Sequence, residues 1–199
     1  MSAANHNRLG VLLAAVGAVA VAPAVTLERG RTEIVVAEDA PQTVRFAASE
    51  LKGFLDRVFE APVPVVPAGT PGKKHIVPGS GIDTAGFARD EFAIRITDDT
   101  VYIAGRDDPK ADPGRALEDT VWANLFERAT LFGVYEFLER YAGVRMYFPG
   151  ELGEIVPRAD RLEVPEGELR VAPVMDMKRC YSYFGEGEWY EGERRDVQA

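Results

Sequence analysis

Two short runs of alternating residues, separated by an acidic turn, constrain the fold of this chain most strongly. Apolar and polar side chains alternate over residues 91–97 and again over residues 100–105, and Asp98 and Asp99 stand between the two runs. A period of two is typical of a strand with one buried face, and a short polar turn joins antiparallel neighbours. The pattern therefore predicts a β-hairpin whose buried face carries Phe92, Ile94, Ile96, Val101 and Ile103.

Two other segments carry the apolar stripe of a helix that packs on one side. The first runs from Thr43 to Glu60 and is followed by Pro62 and Pro64. The second runs from about Asn124 or Thr130 to Ala142, and Gly143 stands where a C-terminal cap glycine belongs. Both helices need a surface to cover, and the predicted hairpin offers one.

Shorter extended segments lie around the helices, at residues 32–38, 63–66, 144–148, 155–157 and 161–164. Strands and hairpins interrupted by only two helices are typical of one fold class. We therefore predict an α+β fold, in which a mixed or antiparallel sheet has two helices packed on one face.

The first residues are typical of an export signal. Residues 1–8 are polar with Arg8 as their charged side chain, residues 9–22 are uncharged, and small residues follow at Ala18-Val19-Ala20 or Ala22-Pro23-Ala24. This order matches a secretory signal peptide, and the run is too short for a membrane anchor. We expect residues 1–24 to be a signal peptide of an exported protein, periplasmic or extracellular; the alternative is a buried N-terminal helix.

Charge and cysteine content narrow the partners. The 199 residues include 23 Lys and Arg against 32 Asp and Glu, a net charge of -9. A sequence-independent nucleic-acid binder needs basic residues to neutralise phosphates, so we expect no nucleic-acid partner. The hydrophobic share of 46% argues against a disordered chain. Cys180 is the one cysteine, so no internal disulfide can form.

A catalytic set is hard to assemble from this sequence. Of the two histidines, His6 lies in the predicted leader, which leaves His75. A zinc site usually draws on clustered His and Cys, and a Ser-His-Asp triad would have to use His75 without a Gly-x-Ser-x-Gly elbow. We therefore predict no metal, no cofactor and no catalytic residue, and a structural or surface role for His75.

The end of the chain combines aromatic and charged residues. Residues 178–184 are basic and aromatic, and residues 186–193 carry carboxylates beside Trp189 and Tyr190. Aromatic faces and carboxylates are what a sugar site uses. The alternative is a solvated acidic tail that holds a few aromatic side chains.

Several segments together resemble a known domain. These are residues 47–55 (AASELKGFL), 92–105 (FAIRITDDTVYIAG), 128–139 (RATLFGVYEFLE) and 143–149 (GVRMYFP). They are similar to the N-terminal α+β domain that precedes the catalytic barrel in family 20 glycoside hydrolases (β-N-acetylhexosaminidases) and in α-glucuronidases. The resemblance is closest to uncharacterised secreted bacterial barrel proteins that carry the same domain. It covers about residues 32–183.

The resemblance implies how the chain is organised. Residues 30–170 would form the domain, and residues 171–199 would be the truncated start of a following (β/α) barrel or a flexible tail. Ala129 stands where the family usually has glycine, and the loop at residues 106–119 is longer than in the short-loop members. The catalytic carboxylates of those enzymes would lie beyond this chain. A sugar-contacting arginine of the hexosaminidases matches Arg179, or Lys178 after a one-residue shift.

Three functions remain open on the sequence. The first is a non-catalytic accessory domain of a secreted carbohydrate-active enzyme, partnered by its own downstream barrel. The second is a stand-alone carbohydrate-binding or interaction module, with a polysaccharide as partner. The third is a small hydrolase that uses Glu186, Glu188 or Glu191. For substrate binding we name Arg179, Lys178, Tyr181 and Trp189.

Overall fold

A six-stranded mixed sheet forms the centre of the computed structural model, which describes residues 23–116 and 126–174. Two long helices lie on the sheet, and two small two-stranded sheets flank it. In chain order the elements are β1 (Pro23–Glu28), β2 (Thr32–Val35), α1 (Gln42–Phe59), β3 (Val65–Val66), β4 (Lys74–Pro78), β5 (Phe92–Ile96), β6 (Thr100–Gly105), α2 (Pro113–Ala116), α3 (Ala129–Tyr141), β7 (Arg145–Met146), β8 (Glu154–Ile155), β9 (Arg161–Pro165) and β10 (Gly167–Val171).

The order of strands in the central sheet is β10-β5-β6-β4-β2-β3. Strands β3, β2, β4 and β6 run parallel to one another, whereas β5 pairs antiparallel with both β6 and β10. The predicted hairpin is confirmed, since Ile94 pairs with Ile103 and Ile96 with Val101. The α+β fold is therefore confirmed, and the sheet is mixed.

The two faces of this sheet differ because side chains alternate along each strand. One face carries a continuous apolar row across β2, β4, β6 and β5, made of Ile34, Ile76, Val101, Ile103, Ile94 and Ile96. Helices α1 and α3 pack on this face and against each other. Gly133 permits the close approach of α3, because a Cβ there would lie 2.7 Å from Cγ2 of Ile103.

The helix limits follow their sequence signals closely. Helix α1 begins one residue before the predicted Thr43, and Pro41 occupies the N-cap position rather than the first helical position expected for a proline. After α3, Gly143 adopts a left-handed conformation with φ +70°, and the N–H of Val144 donates to the carbonyl of Leu138. Gly143 therefore ends the helix as predicted.

Strands β1 and β10 were absent from the sequence prediction. Strand β1 pairs with β9, and the two bury Val25, Leu27, Leu162 and Val164 in the core. It follows an uncharged run directly, so its pattern does not stand out, and it lies before the predicted domain start at residue 30. The predicted signal peptide falls outside the described residues except for its last two, so export stays a prediction.

Two further segments differ from the sequence prediction. The brief apolar patch at residues 75–78 is the interior strand β4 of the central sheet, and the predicted strand at residues 144–148 contracts to β7, which pairs with β8 in a separate two-stranded sheet. The chain turns at Pro149 and Gly150 into a 3-10 turn at Glu151–Gly153. In residues 23–116 and 126–174 no helix is long and apolar enough to cross a membrane.

Candidate functional site

A buried polar junction joins the N-terminus of α3 to the end of β6. The hydroxyl of Thr130, a fully buried residue, accepts the N–H of Gly105 at 3.1 Å and donates to the carboxylate of Asp107. That carboxylate also accepts the N–H of Thr130 at 2.9 Å. Asp107 thereby satisfies donors at the start of α3 that have no partner inside the helix. The threonine of the RATLFGVYEFLE segment thus has a structural role.

The environment of Asp107 shifts its ionisation. Burial raises the pKa of this carboxyl group above its usual value, although its hydrogen bonds with Thr130 oppose the shift, and the nearby carboxylate of Glu127 adds to it. Next to it lies a cleft of about 490 Å³, lined by charged groups and by Phe126. Arg106 pairs with Glu127 across 2.9 Å there. This ion pair joins the segment after β6 to the residues just before α3.

A second polar contact fastens the same helix to α1. The hydroxyl of Tyr135 donates to the carboxylate of Glu50 at 2.9 Å. Burial and this carboxylate raise the pKa of Tyr135 far above its usual range, so the hydroxyl stays protonated and keeps donating. Arg128 lies over the rings of Phe126 and Phe132. The polar residues of this segment therefore organise the helices.

On the sheet face away from the helices, a buried carboxylate holds a loop. Glu33 on β2 is 2% exposed, and it accepts the N–H and the hydroxyl of Thr70 at 2.9 and 3.0 Å. Lys73 lies 2.7 Å from it and, as the strongest influence, lowers the pKa of Glu33. His75 lies beside this cluster, with Nε2 3.2 Å from the carbonyl of Thr70. His75 therefore contacts the loop that Glu33 holds.

A similar carboxylate fastens β10. Glu91 is buried, and its pair with Arg170 is the main reason that its pKa is lowered. The guanidinium of Arg170 also lies 4.3 Å from the centre of the Phe87 ring. In both clusters the carboxylate is neutralised by a neighbouring cation, so neither is set up to take a proton from a substrate.

The segment after α3 exposes apolar side chains that form the candidate interaction surface. Tyr147 is 69% exposed, Phe148 57% and Leu152 95%. Met146 and Ile155 are exposed as well, but Arg145 pairs with Ile155 and Met146 with Glu154, so these two side chains lie on opposite sides of the β7–β8 hairpin. The name hairpin patch is used below for Tyr147, Phe148 and Leu152, the exposed apolar residues between the two strands. Gly153 keeps its turn tight, since a Cβ there would collide with the carbonyl oxygen of Phe148. Clustered exposed apolar groups mark surfaces that another molecule covers.

An apolar groove of about 360 Å³ lies between α1 and the edge of the sheet. Its walls include Val36, Ala48 and Val65, and Arg45 and Lys52 stand among its lining residues. Nothing in its walls resembles a catalytic pair.

The substrate-binding residues named from the sequence, Arg179, Lys178, Tyr181 and Trp189, lie outside the described residues. The same holds for Glu186, Glu188 and Glu191. Among residues 23–116 and 126–174, no group of three or more His, Cys, Asp or Glu side chains could hold a metal ion. The hairpin patch was missed from the sequence, although two of its aromatic side chains stand directly before Pro149-Gly150.

No protein-family model and no curated protein matches this chain. Solved structures match at low identity. A family GH115 4-O-methyl-α-glucuronidase with specificity for decorated arabinogalactans is 14% identical, with a TM-score of 0.48 over 76% of this chain and 19% of its own. The GH20 β-N-acetylhexosaminidase of Streptomyces coelicolor A3(2) is 18% identical, with a TM-score of 0.48 over 77% of this chain and 24% of its own.

A mutant Streptomyces plicatus β-hexosaminidase in complex with product GlcNAc is 16% identical, with a TM-score of 0.39 over 72% of this chain and 23% of its own. The chain thus spans less than a quarter of the length of these three proteins. Similarity at this level is distant and says nothing about the activity of this chain.

Proposed function

We propose that this chain is a non-catalytic N-terminal accessory domain of a secreted carbohydrate-active enzyme. The parent enzyme would be a glycoside hydrolase of the hexosaminidase or glucuronidase kind, and the domain would pack against its catalytic barrel through the hairpin patch. The sugar chemistry in this proposal comes from the sequence resemblance. The contact surface comes from the exposure of the patch.

The hairpin patch is the observation that carries the proposal. Tyrosine and phenylalanine are enriched where proteins meet, and the exposure of one such residue alone is common, whereas three large apolar side chains exposed at one turn are not. The patch residues come from a single short hairpin, tied internally by the bond from the N–H of Tyr147 to the carbonyl of Gly153 at 2.8 Å. A preformed surface of this kind binds without a large ordering cost.

The contacts of the polar residues on α3 support a non-catalytic role within this chain. The hydroxyl of Thr130 bonds with Gly105 and Asp107, and the hydroxyl of Tyr135 bonds with Glu50. Gly133 is required by packing. The segment that carries the family resemblance therefore serves the fold, and chemistry on a sugar would fall to the proposed barrel, with Arg179 or Lys178 among the contacts near its entrance.

The first test is the coding sequence after residue 199. A βα-repeating region there supports the proposal, and a stop codon directly after Ala199 refutes it. The second test expresses this chain and the downstream region as separate polypeptides and measures their association by calorimetry. Phe148→Ser should weaken binding by about 2 kcal/mol, roughly thirtyfold in Kd, because it removes a central aromatic contact.

Val65→Ser is the matched control, since Val65 is also exposed but lies on β3, at one edge of the central sheet. Both substitutions should leave the free energy of unfolding within about 0.5 kcal/mol of the parent chain. Equal affinity of the two variants would exclude the hairpin patch as the contact. Retention of the chain alone on insoluble polysaccharides would instead favour a stand-alone carbohydrate-binding module.

A further inference from the structure

The two edges of the central sheet differ in what they offer to another strand. At the β3 edge, Pro64 and Pro67 flank the two-residue strand, and neither has an N–H to donate. Strand β10 has five residues, Gly167–Val171, and no proline within it. Among the described residues it has no neighbour on its outer side. Edges that lack such protection are the ones to which other strands add.

The direction of the main-chain groups on β10 follows from the hydrogen bonds of β5. Next to β5, the N–H of Thr97 donates to the carbonyl of Thr100, and the N–H of Arg106 donates to the carbonyl of Glu91. The main-chain N–H and C=O groups of the odd-numbered residues of β5 therefore point toward β6. Because directions alternate along a strand, Ile94 faces β10 and bonds with its partner Leu169. The N–H and C=O groups of Glu168 and Arg170 consequently point outward.

The sequence of β10 is complementary to itself in an antiparallel pair. If two copies meet around a two-fold axis at Leu169, Glu168 of one lies opposite Arg170 of the other, and the reverse pair forms as well. Directly opposite residues point to the same sheet face, and opposite charges there stabilise the pairing. The outward N–H and C=O groups belong to these same two residues, so each pair exchanges both of its main-chain hydrogen bonds.

The alternation of charges within one chain would continue across the pair of β10 strands. Glu168 pairs with Arg95 at 3.1 Å, and Arg170 pairs with Glu91. Both acidic and basic side chains therefore sit in fixed positions on the face away from the helices. A second copy would add Arg170 beside Glu168 and so extend an alternating row of charges across the sheet.

We propose that β10 is a self-association edge, through which a second copy of this chain pairs antiparallel and joins the two sheets into one. The interface is isologous, since both copies contribute the same strand. A pairing of such short strands buries little surface, so the dimer forms in a concentration-dependent equilibrium. This contact does not use the hairpin patch, and its outcome is separate from that of the proposed barrel contact.

Sedimentation velocity on the full chain, over increasing protein concentration, tests the proposal. The parent chain should shift from monomer toward dimer. Glu168→Arg should remain monomeric because it places arginine opposite Arg170, whereas Glu168→Gln should dimerise with a several-fold weaker constant. Both variants lose the pair with Arg95, and Glu168→Arg also places a second positive charge opposite Arg95. Equal free energies of unfolding of the two variants, measured in urea, exclude this repulsion within one chain as the cause of a difference in association. A parent chain that stays monomeric at all concentrations overturns the proposal, as does equal behaviour of the two variants.

Cross-linking tests the register. In a Cys180→Ser background, Leu169→Cys places two thiols opposite each other at the axis, in a pair whose Cα atoms lie about 4.5 Å apart. We expect a disulfide-linked dimer under mild oxidation. Val65→Cys in the same background is the control on the other edge and should stay monomeric. Equal cross-linking of the two variants, or none for Leu169→Cys, contradicts the proposed pairing.

Discussion

Replacing Thr130 with valine removes one hydroxyl group from the buried junction between β6 and α3 while keeping the shape of the side chain. The N–H of Gly105 then loses its acceptor, and the carboxylate of Asp107 loses a donor. An unsatisfied buried donor costs about 1–3 kcal/mol, and a bond to a charged group is worth about 1.5–3 kcal/mol. We expect Thr130→Val to lower the free energy of unfolding by about 3 kcal/mol at neutral pH.

The loss should depend on pH in a defined direction. The folded-state pKa of Asp107 is already raised by burial, and removal of the hydroxyl raises it further. A raised carboxyl pKa means that ionisation opposes folding as pH climbs above the unfolded value of about 3.9. The deficit of Thr130→Val should therefore shrink to about 1–2 kcal/mol below that pH, where Asp107 is protonated in both states.

Urea unfolding followed by far-UV circular dichroism measures this difference. Thr43→Val is the matched control, because Thr43 is equally buried but its hydroxyl oxygen has no hydrogen-bond partner in the structure. Removing that hydroxyl should be neutral or stabilising, since an unsatisfied polar group is removed. A Thr130→Val variant as stable as Thr43→Val, or one whose deficit grows toward acid pH, would refute the role assigned to the junction.

Three further substitutions probe the fold by the same assay. Gly105→Ala should cost about 2 kcal/mol, because its Cβ would lie 2.4 Å from that of Ala129; wild-type stability would disprove this packing. Tyr135→Phe should cost about 1–2 kcal/mol through the lost bond to a carboxylate on α1, and no change would show that the bond contributes nothing. The lowered pKa of Glu33 stabilises the fold above its unfolded value of about 4.3, and this stability is lost as pH falls through the folded value. Lys73→Met should therefore flatten the acid side of the stability curve, and an unchanged slope would exclude Lys73 as the cause.

The predictable part of the fold rests on local periodicity. The hairpin of β5 and β6 and the extents of α1 and α3 follow from repeats of 2 and 3.6 residues, each read within one segment. Strand β10 was not predicted from the sequence because it has few apolar residues, with only Leu169 and Val171 facing the core. Its strand state depends on pairing with β5, which lies over 70 positions earlier in the chain.

The candidate sites were less predictable than the fold. The sugar contacts expected at residues 178–189 lie outside the described residues, so they stay predictions. The hairpin patch could not be identified beforehand, because the sequence does not separate an exposed Phe148 from a buried Phe137. Both are phenylalanines in apolar stretches, and only packing against other elements distinguishes them.

A half-buried hairpin, two one-sided helices and a small number of groups for catalysis can be read from the amino-acid sequence alone. The packing of these elements against one another sets which surfaces remain uncovered, which polar groups bond inside the fold, as Thr130 does, and which strand edge stays available. Periodicity shows how many faces of an element are buried, whereas exposure and bonding partners depend on segments that are distant in the chain.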